Sequence, residues 1–194
     1  MNNKFFNQNT TKLGLIALSI FGTFAVSVPV NFTVNPVLAQ NNVSTNEAKK
    51  AQAEKLFNEG WQLYKEGSKE SLEEAIIKFK QALILYQEIN DKLLEASINL
   101  VLGRLNDLLG FKQEALNYYN RALPLYQQLK DRSGEATTLN NMGLVYDALG
   151  EKQKALESYE QALPLFKEVG NRSGEATTLN NIGGVYSDLG EKQQ

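Results

Sequence analysis

Amide side chains are the residues of this sequence whose type and spacing are best suited to chemistry, and that chemistry is hydrogen bonding. Asparagine occurs in two adjacent pairs forty residues apart, Asn140 with Asn141 and Asn180 with Asn181. An amide presents a donor and an acceptor side by side, which suits the backbone of an extended peptide. Adjacent asparagines are unfavourable inside a helix. The pairs therefore predict either peptide recognition or hydrogen bonds to a neighbouring helix.

The composition leaves little for catalysis. The chain of 194 residues contains no histidine and no cysteine. This excludes a Ser-His-Asp triad, a Cys-His pair and zinc sites built from nitrogen and sulfur ligands. There is no sign that two carboxylates converge as in glycosidases, and no G-x-x-x-x-G-K-[ST] phosphate loop occurs. We predict that the protein is not an enzyme and uses no cofactor and no metal.

The charge balance excludes another class of partner. Twenty Lys and Arg residues stand against 22 Asp and Glu, for a formal net charge of -2. Such a balance gives no counterion-release drive towards nucleic acid or anionic lipid. We expect no nucleic-acid partner.

The first 39 residues have the layout of a signal peptide. They contain no acidic residue, two lysines and an apolar stretch over residues 13–30, followed by Val37, Leu38 and Ala39 as a small-x-small site. We predict cleavage after Ala39, export to the periplasm or the exterior of a bacterial cell, no membrane insertion after cleavage, and a linker over residues 40–45. The alternative is an uncleaved anchor, since the apolar stretch lies at the lower edge of the roughly 17 to 25 residues that span a bilayer.

An internal repeat of forty residues organises the rest of the chain. Residues 131–154 and 171–194 differ at only six of 24 aligned positions, and residues 91–130 align with residues 131–170 without a gap. A more distant copy begins near Asn46 and carries three extra residues at a turn-forming stretch, residues 67–71. The predicted array thus covers residues 46–194, as repeats 46–90, 91–130 and 131–170 and a half repeat 171–194.

Each repeat has the pattern of two helices. In residues 131–170, large apolar residues recur at intervals of three and four, first up to Leu149 and then from Ala155. Gly150 separates the two sets, where a helix C-cap glycine is expected. No sustained alternation with period two occurs, so the sequence predicts an all-α fold.

These residues resemble a known repeat family. Leu139-x-x-Met142-Gly143-x-x-Tyr146, followed by Ala155-x-x-x-Tyr159, is similar to the tetratricopeptide pattern, in which small residues let the two helices approach closely. The family's usual period is 34, and the period of 40 resembles the extended repeats of kinesin light chains and of many cyanobacterial proteins. The resemblance implies an α-solenoid of antiparallel helix pairs, whose first helices line one concave surface.

The resemblance also implies which side chains face that concave groove. They lie two or three residues before the repeat glycine, or one or four after it. The candidate peptide-binding residues are Asn58, Trp61, Tyr64, Arg104, Asp107, Asn140, Asn141, Asp147, Asn180 and Asn181.

The implied partner is a peptide or protein segment, and the implied function is a non-catalytic interaction scaffold. In related grooves an asparagine two residues before the glycine often binds the peptide backbone, and Asn58, Asn141 and Asn181 match that place. Two structural alternatives stay open. The asparagines of the last two repeats would bond across to a neighbouring helix, and Trp61 would seal the core of the first repeat.

The half repeat at residues 171–194 adds two more hypotheses. Cyanobacterial arrays of this kind often precede a caspase-like CHAT protease domain, so the alternative function is the regulatory region of a longer enzyme. The first helix of this half repeat carries Leu179, Val185 and Tyr186 without a second helix to cover them. Self-association through this uncapped helix is therefore a further expectation.

Overall fold

The computed structural model describes residues 36–191, with side chains over residues 45–190. This part of the chain is all-α and contains no strand. Its helices are α1 (Pro36–Glu66), α2 (Lys69–Glu88), α3 (Lys92–Leu108), α4 (Lys112–Leu129), α5 (Arg132–Ala148), α6 (Lys152–Glu168) and α7 (Arg172–Glu191). The predicted signal peptide lies outside the described residues as far as residue 35.

The first helix begins earlier than the repeat pattern predicts. It starts at Pro36 and runs through residues 40–45, where the sequence predicts a linker. A proline is well tolerated at the first position of a helix, and no glycine or proline interrupts residues 37–59. None of the described helices is apolar over a stretch long enough to cross a membrane.

The helices pack as the predicted solenoid of helix pairs. Consecutive helices contact one another from α1 with α2 to α6 with α7, and α5 also approaches α3 and α7. Glycines with positive φ form the turns between the two helices of a repeat, with φ of 84° at Gly110 and 77° at Gly150. The predicted C-cap role of Gly150 is therefore confirmed.

A ring packed on a glycine joins the two helices of each inner repeat. A Cβ atom added to Gly103 would lie 2.3 Å from the ring of Tyr119, and one added to Gly143 would lie 2.4 Å from the ring of Tyr159. Both rings are fully buried. The repeat glycines therefore permit the close approach that the sequence predicts, because any side chain would displace the ring.

A second ring and glycine pair joins each inner repeat to the next. The ring of Tyr126 in α4 covers Gly134 in α5, and the ring of Phe166 in α6 covers Gly174 in α7. In α5, Asp131 caps the first turn, and its side chain accepts a hydrogen bond from the backbone N–H of Gly134. In α7, the backbone N–H of Gly174 donates to Oδ1 of Asn171 over 2.9 Å. The junction is thus built in the same way at both places.

Candidate peptide-binding groove

A pocket of about 230 Å³ is lined by side chains from three first helices. Trp61 and Tyr64 come from α1, Arg104 from α3 and Asn141 from α5. All four are predicted groove residues. The remaining lining residues are Leu100, Val101 and Thr137. We call this the groove pocket: it has apolar walls, one cation and one amide.

The aromatic wall of the groove pocket, Trp61 and Tyr64, packs against the core of the first repeat. The ring of Trp61 packs edge-on against Tyr64 at a centroid distance of 5.3 Å and against the buried Phe79 at 5.7 Å. Trp61 itself is only partly buried. Trp61 packs against the core of the first repeat and also lines the pocket.

The adjacent asparagines of α5 have different surroundings. Asn140 is 8% exposed, and its Oδ1 accepts hydrogen bonds from the hydroxyl of Thr178 over 3.0 Å and from Nδ2 of Asn181 over 3.3 Å. Asn140 thus joins α5 to α7, which is the structural alternative named for these amides. Asn141 is equally buried but lines the groove pocket. It is the one residue of this pair that lines that pocket.

The two aspartates expected in the groove form ion pairs at the ends of their helices. Asp107 pairs with Lys112, and Asp147 pairs with Lys152 at 2.6 Å. Lys152 also pairs with Asp188 of α7. Hydrogen bonds to Asp147 and then Asp188 raise the pKa of Lys152 above its usual range. These aspartates therefore contribute to helix junctions, and neither lines the groove pocket.

The remaining predicted residues lie outside the groove pocket. Asn58 and Asn180 are exposed, and Asn181 is partly buried beside Asn140. Arg104, by contrast, lines the groove pocket and is exposed.

Thr137 is the lining residue that the sequence rule misses. It precedes Asn141 by four residues, so the two side chains share one side of α5. The rule counted from the repeat glycine and reached back only three residues. Counting one further helical turn would have found Thr137.

Other surface features do not bring the predicted residues together. A larger depression of about 590 Å³ is lined by Asn46, Lys50, Leu93 and Leu129 among others, and contains none of the predicted groove residues. No cluster of carboxylates suited to a metal ion occurs among the described residues.

These observations define a class of protein, a solenoid of helix pairs whose first helices share a binding-sized pocket. The tetratricopeptide repeat family model matches residues 68–128, 112–168 and 134–194, which together make up more than half of the chain. The chain therefore belongs to the tetratricopeptide repeat family. Members of this family generally serve as non-catalytic scaffolds for protein-protein interaction.

A solved structure shows the same fold at low sequence identity, and a second is similar over part of its length. The C-terminal tetratricopeptide-containing domain of a Plasmodium falciparum protein described as an FK506-binding protein is 22% identical, with a TM-score of 0.58 over 76% of this chain and 95% of that one. BtubC (BKLC) from P. vanneervenii is 19% identical, with a TM-score of 0.49 over 74% of this chain and 66% of that one. No curated protein sequence matches the chain significantly.

Proposed function

We propose that the protein is a non-catalytic scaffold that binds an extended peptide segment in its groove, with the groove pocket as the anchor site. One observation supports this proposal above the others. Side chains from three successive repeats meet around one cavity, and their chemistry is that of a peptide site: two aromatic rings, a cation and a buried amide. A mostly apolar pocket with a few polar groups is the usual form of a ligand site.

The lining residues suggest what the peptide offers. A large apolar side chain fits into the pocket against Trp61 and Tyr64, because burial of apolar surface supplies most of the binding free energy. Asn141 is placed to bond the peptide backbone, and Arg104 favours an acidic residue beside the anchor.

The experiment uses the single tryptophan of the chain as its probe. Peptides are selected from a random display library on the intact protein and then titrated while the fluorescence of Trp61 is followed. Asn141→Ala should weaken binding by about 1 to 3 kcal/mol, the cost of leaving a buried polar group unpaired. Asn180→Ala is the matched control, since Asn180 is exposed and lies outside the groove pocket.

Thermal unfolding separates binding from stability in the same variants. Asn141→Ala should keep the melting temperature of the wild type, whereas Asn140→Ala should lower it, because Asn140 bonds to α7. Selected peptides that bind Asn141→Ala and Asn180→Ala equally well would contradict the proposal.

We also propose that the scaffold is exported and that its repeats are of the extended kinesin-light-chain-like type. Export is supported by the layout of residues 1–39, and the repeat type by the period of forty. N-terminal sequencing of the protein from its native source tests export. A mature chain that starts at Gln40 agrees with it, and a chain that starts at Met1 and is found in the cytoplasmic fraction contradicts it.

A further inference from the structure

One side of α7 carries a row of exposed, mostly small or apolar residues. They are spaced three and four apart, so they line one side of the helix. We call this row the α7 seam, and it consists of Ala176, Leu179, Gly183, Tyr186 and Gly190. Leu179 is 48% exposed and Tyr186 is 55% exposed. Apart from the backbone of α7 itself and the adjoining residues, no atom of the described residues lies within 4 Å of the place where a Cβ of Gly183 or Gly190 would be.

Three of the same positions are covered in the preceding repeat. Ala136 is fully buried, Leu139 is 4% exposed, and Gly143 lies under the ring of Tyr159. The cover there is α6, whose buried Ala162 and Phe166 pack on Ala136 and Leu139. The α7 seam is therefore a helix-packing surface without its cover among the described residues.

The opposite side of α7 already has a partner. Val185 is 1% exposed and packs on Leu156 and Tyr159 of α6. Thr178 is fully buried and bonds to Asn140. Because these contacts hold α7 on the array, the α7 seam is presented outwards on an ordered helix.

Along the α7 seam, small and large residues alternate, and this order makes it complementary to itself. We propose that a second copy of this chain covers the α7 seam in an antiparallel, two-fold symmetric helix pair. A two-fold axis between residues 184 and 185 places Tyr186 of each copy over Gly183 of the other, and Leu179 over Gly190. A tyrosine ring on a helix glycine is the arrangement that this chain already uses at Tyr159 and Gly143.

The α7 seam also contains no charged residue. Pairing therefore removes apolar surface from water without burying an unpaired charge. A single helix pair is a small contact, so the dimer is expected to be reversible. The dimer contact does not include the groove pocket. The failure of one proposal would therefore leave the other unaffected.

Two adjacent glycines provide a matched pair of variants. Gly183 lies on the α7 seam and Gly184 lies off it, yet both are helical, exposed and without neighbours within 4 Å. Sedimentation equilibrium of the intact chain is measured from about 1 to 200 µM, a range that covers weak transient association. The wild type and Gly184→Glu should show a mass that rises with concentration. Gly183→Glu should weaken association by about tenfold or more, because it places a charge against an apolar ring.

Two results would overturn the proposal. One is equal association by Gly183→Glu and Gly184→Glu. The other is a strict monomer in which Gly183→Glu lowers the melting temperature more than Gly184→Glu does, which would mean that another segment of the same chain covers the α7 seam.

The register of the pair is tested by crosslinking. The sequence contains no cysteine, so single thiols can be introduced without competing ones. A mixture of Gly183→Cys and Tyr186→Cys chains should form disulfide dimers faster than either variant alone. Faster crosslinking of one variant with itself would contradict the antiparallel arrangement.

Discussion

At the scale of single residues, the buried tyrosines at the centres of the inner repeats carry an unusual polar group. Tyr119 and Tyr159 are fully buried, and neither hydroxyl has a hydrogen-bond partner among the described residues. Burial, the largest cause, raises the pKa of both hydroxyls. The first repeat has Phe79 at this place, packed on Gly60 in the same way. The ring therefore does the packing, and the hydroxyl adds a cost.

Tyr159→Phe should leave the free energy of unfolding at pH 7 unchanged or raise it by up to about 1 kcal/mol, since it removes an unpaired polar group. It should also reduce the loss of stability above about pH 10, the ordinary pKa of tyrosine. Above that pH the unfolded state releases the proton while the folded state keeps it, so rising pH favours unfolding. Urea unfolding of the wild type and of Tyr159→Phe, at pH 7 and above about pH 10, measures these differences in the free energy of unfolding.

A Tyr159→Phe protein that is clearly less stable than the wild type at pH 7 would contradict this account. It would mean that the hydroxyl has a bonding partner in solution. Tyr119→Phe should behave in the same way, because Tyr119 has the same surroundings one repeat earlier.

At the scale of helices, α5 and α7 show how neighbours decide the role of a residue. The two helices are nearly identical in sequence, yet Gly143 is covered by a ring and Gly183 is open. The turns differ as well. The chain reverses at Gly150, whereas α7 continues through Gly190 to Glu191. The second helix of a repeat therefore supplies much of the environment that defines the first.

Gly143→Ala and Gly183→Ala should change stability in opposite directions in dilute protein. The methyl group of Gly143→Ala would meet the ring of Tyr159, and overpacking of this kind costs about 1 to 3 kcal/mol. The methyl group of Gly183→Ala meets nothing and should stabilise α7 by about 0.5 to 1 kcal/mol through helix propensity. Thermal unfolding of both variants is the measurement, and equal destabilisation would show that the two glycines are covered alike.

At the scale of the whole array, the described helices form a chain of local contacts. Nearly all close packing joins consecutive helices, with α5 alone bridging to α3 and α7. In such a solenoid, stability is approximately a sum of repeat and junction terms. We expect α7, with one side uncovered, to open more readily than α3 to α6.

Two valines at matching positions test this difference in local stability. Val145 and Val185 occupy the same repeat position and are both buried. Val185→Ala should speed hydrogen exchange in α7 by about tenfold, as expected for about 1.4 kcal/mol of local destabilisation, and leave α1 to α3 unchanged. Val145→Ala should instead affect α5 and its neighbours on both sides. Equal acceleration along the whole chain by both variants would mean that the array opens as one unit.

The fold follows from the sequence more directly than the candidate site does. The forty-residue period, the turn glycines and the small residues opposite Tyr119 and Tyr159 are local signals, and the helix pairs appear where they predict them. Asn140 and Asn141 are harder, because adjacent amides look alike in a sequence. Thr178 of the next repeat bonds to the first of them, and only packing between repeats reveals this.

The matching junctions between repeats have a consequence for how such a gene changes. Tyr126 packs on Gly134 as Phe166 packs on Gly174. The end of one repeat therefore contacts the start of the next repeat in the same way at both junctions. An in-frame duplication of one repeat inserts a unit that fits at both ends from the start. The array is therefore able to lengthen or shorten by whole units without a new kind of interface, and its length becomes a heritable variable.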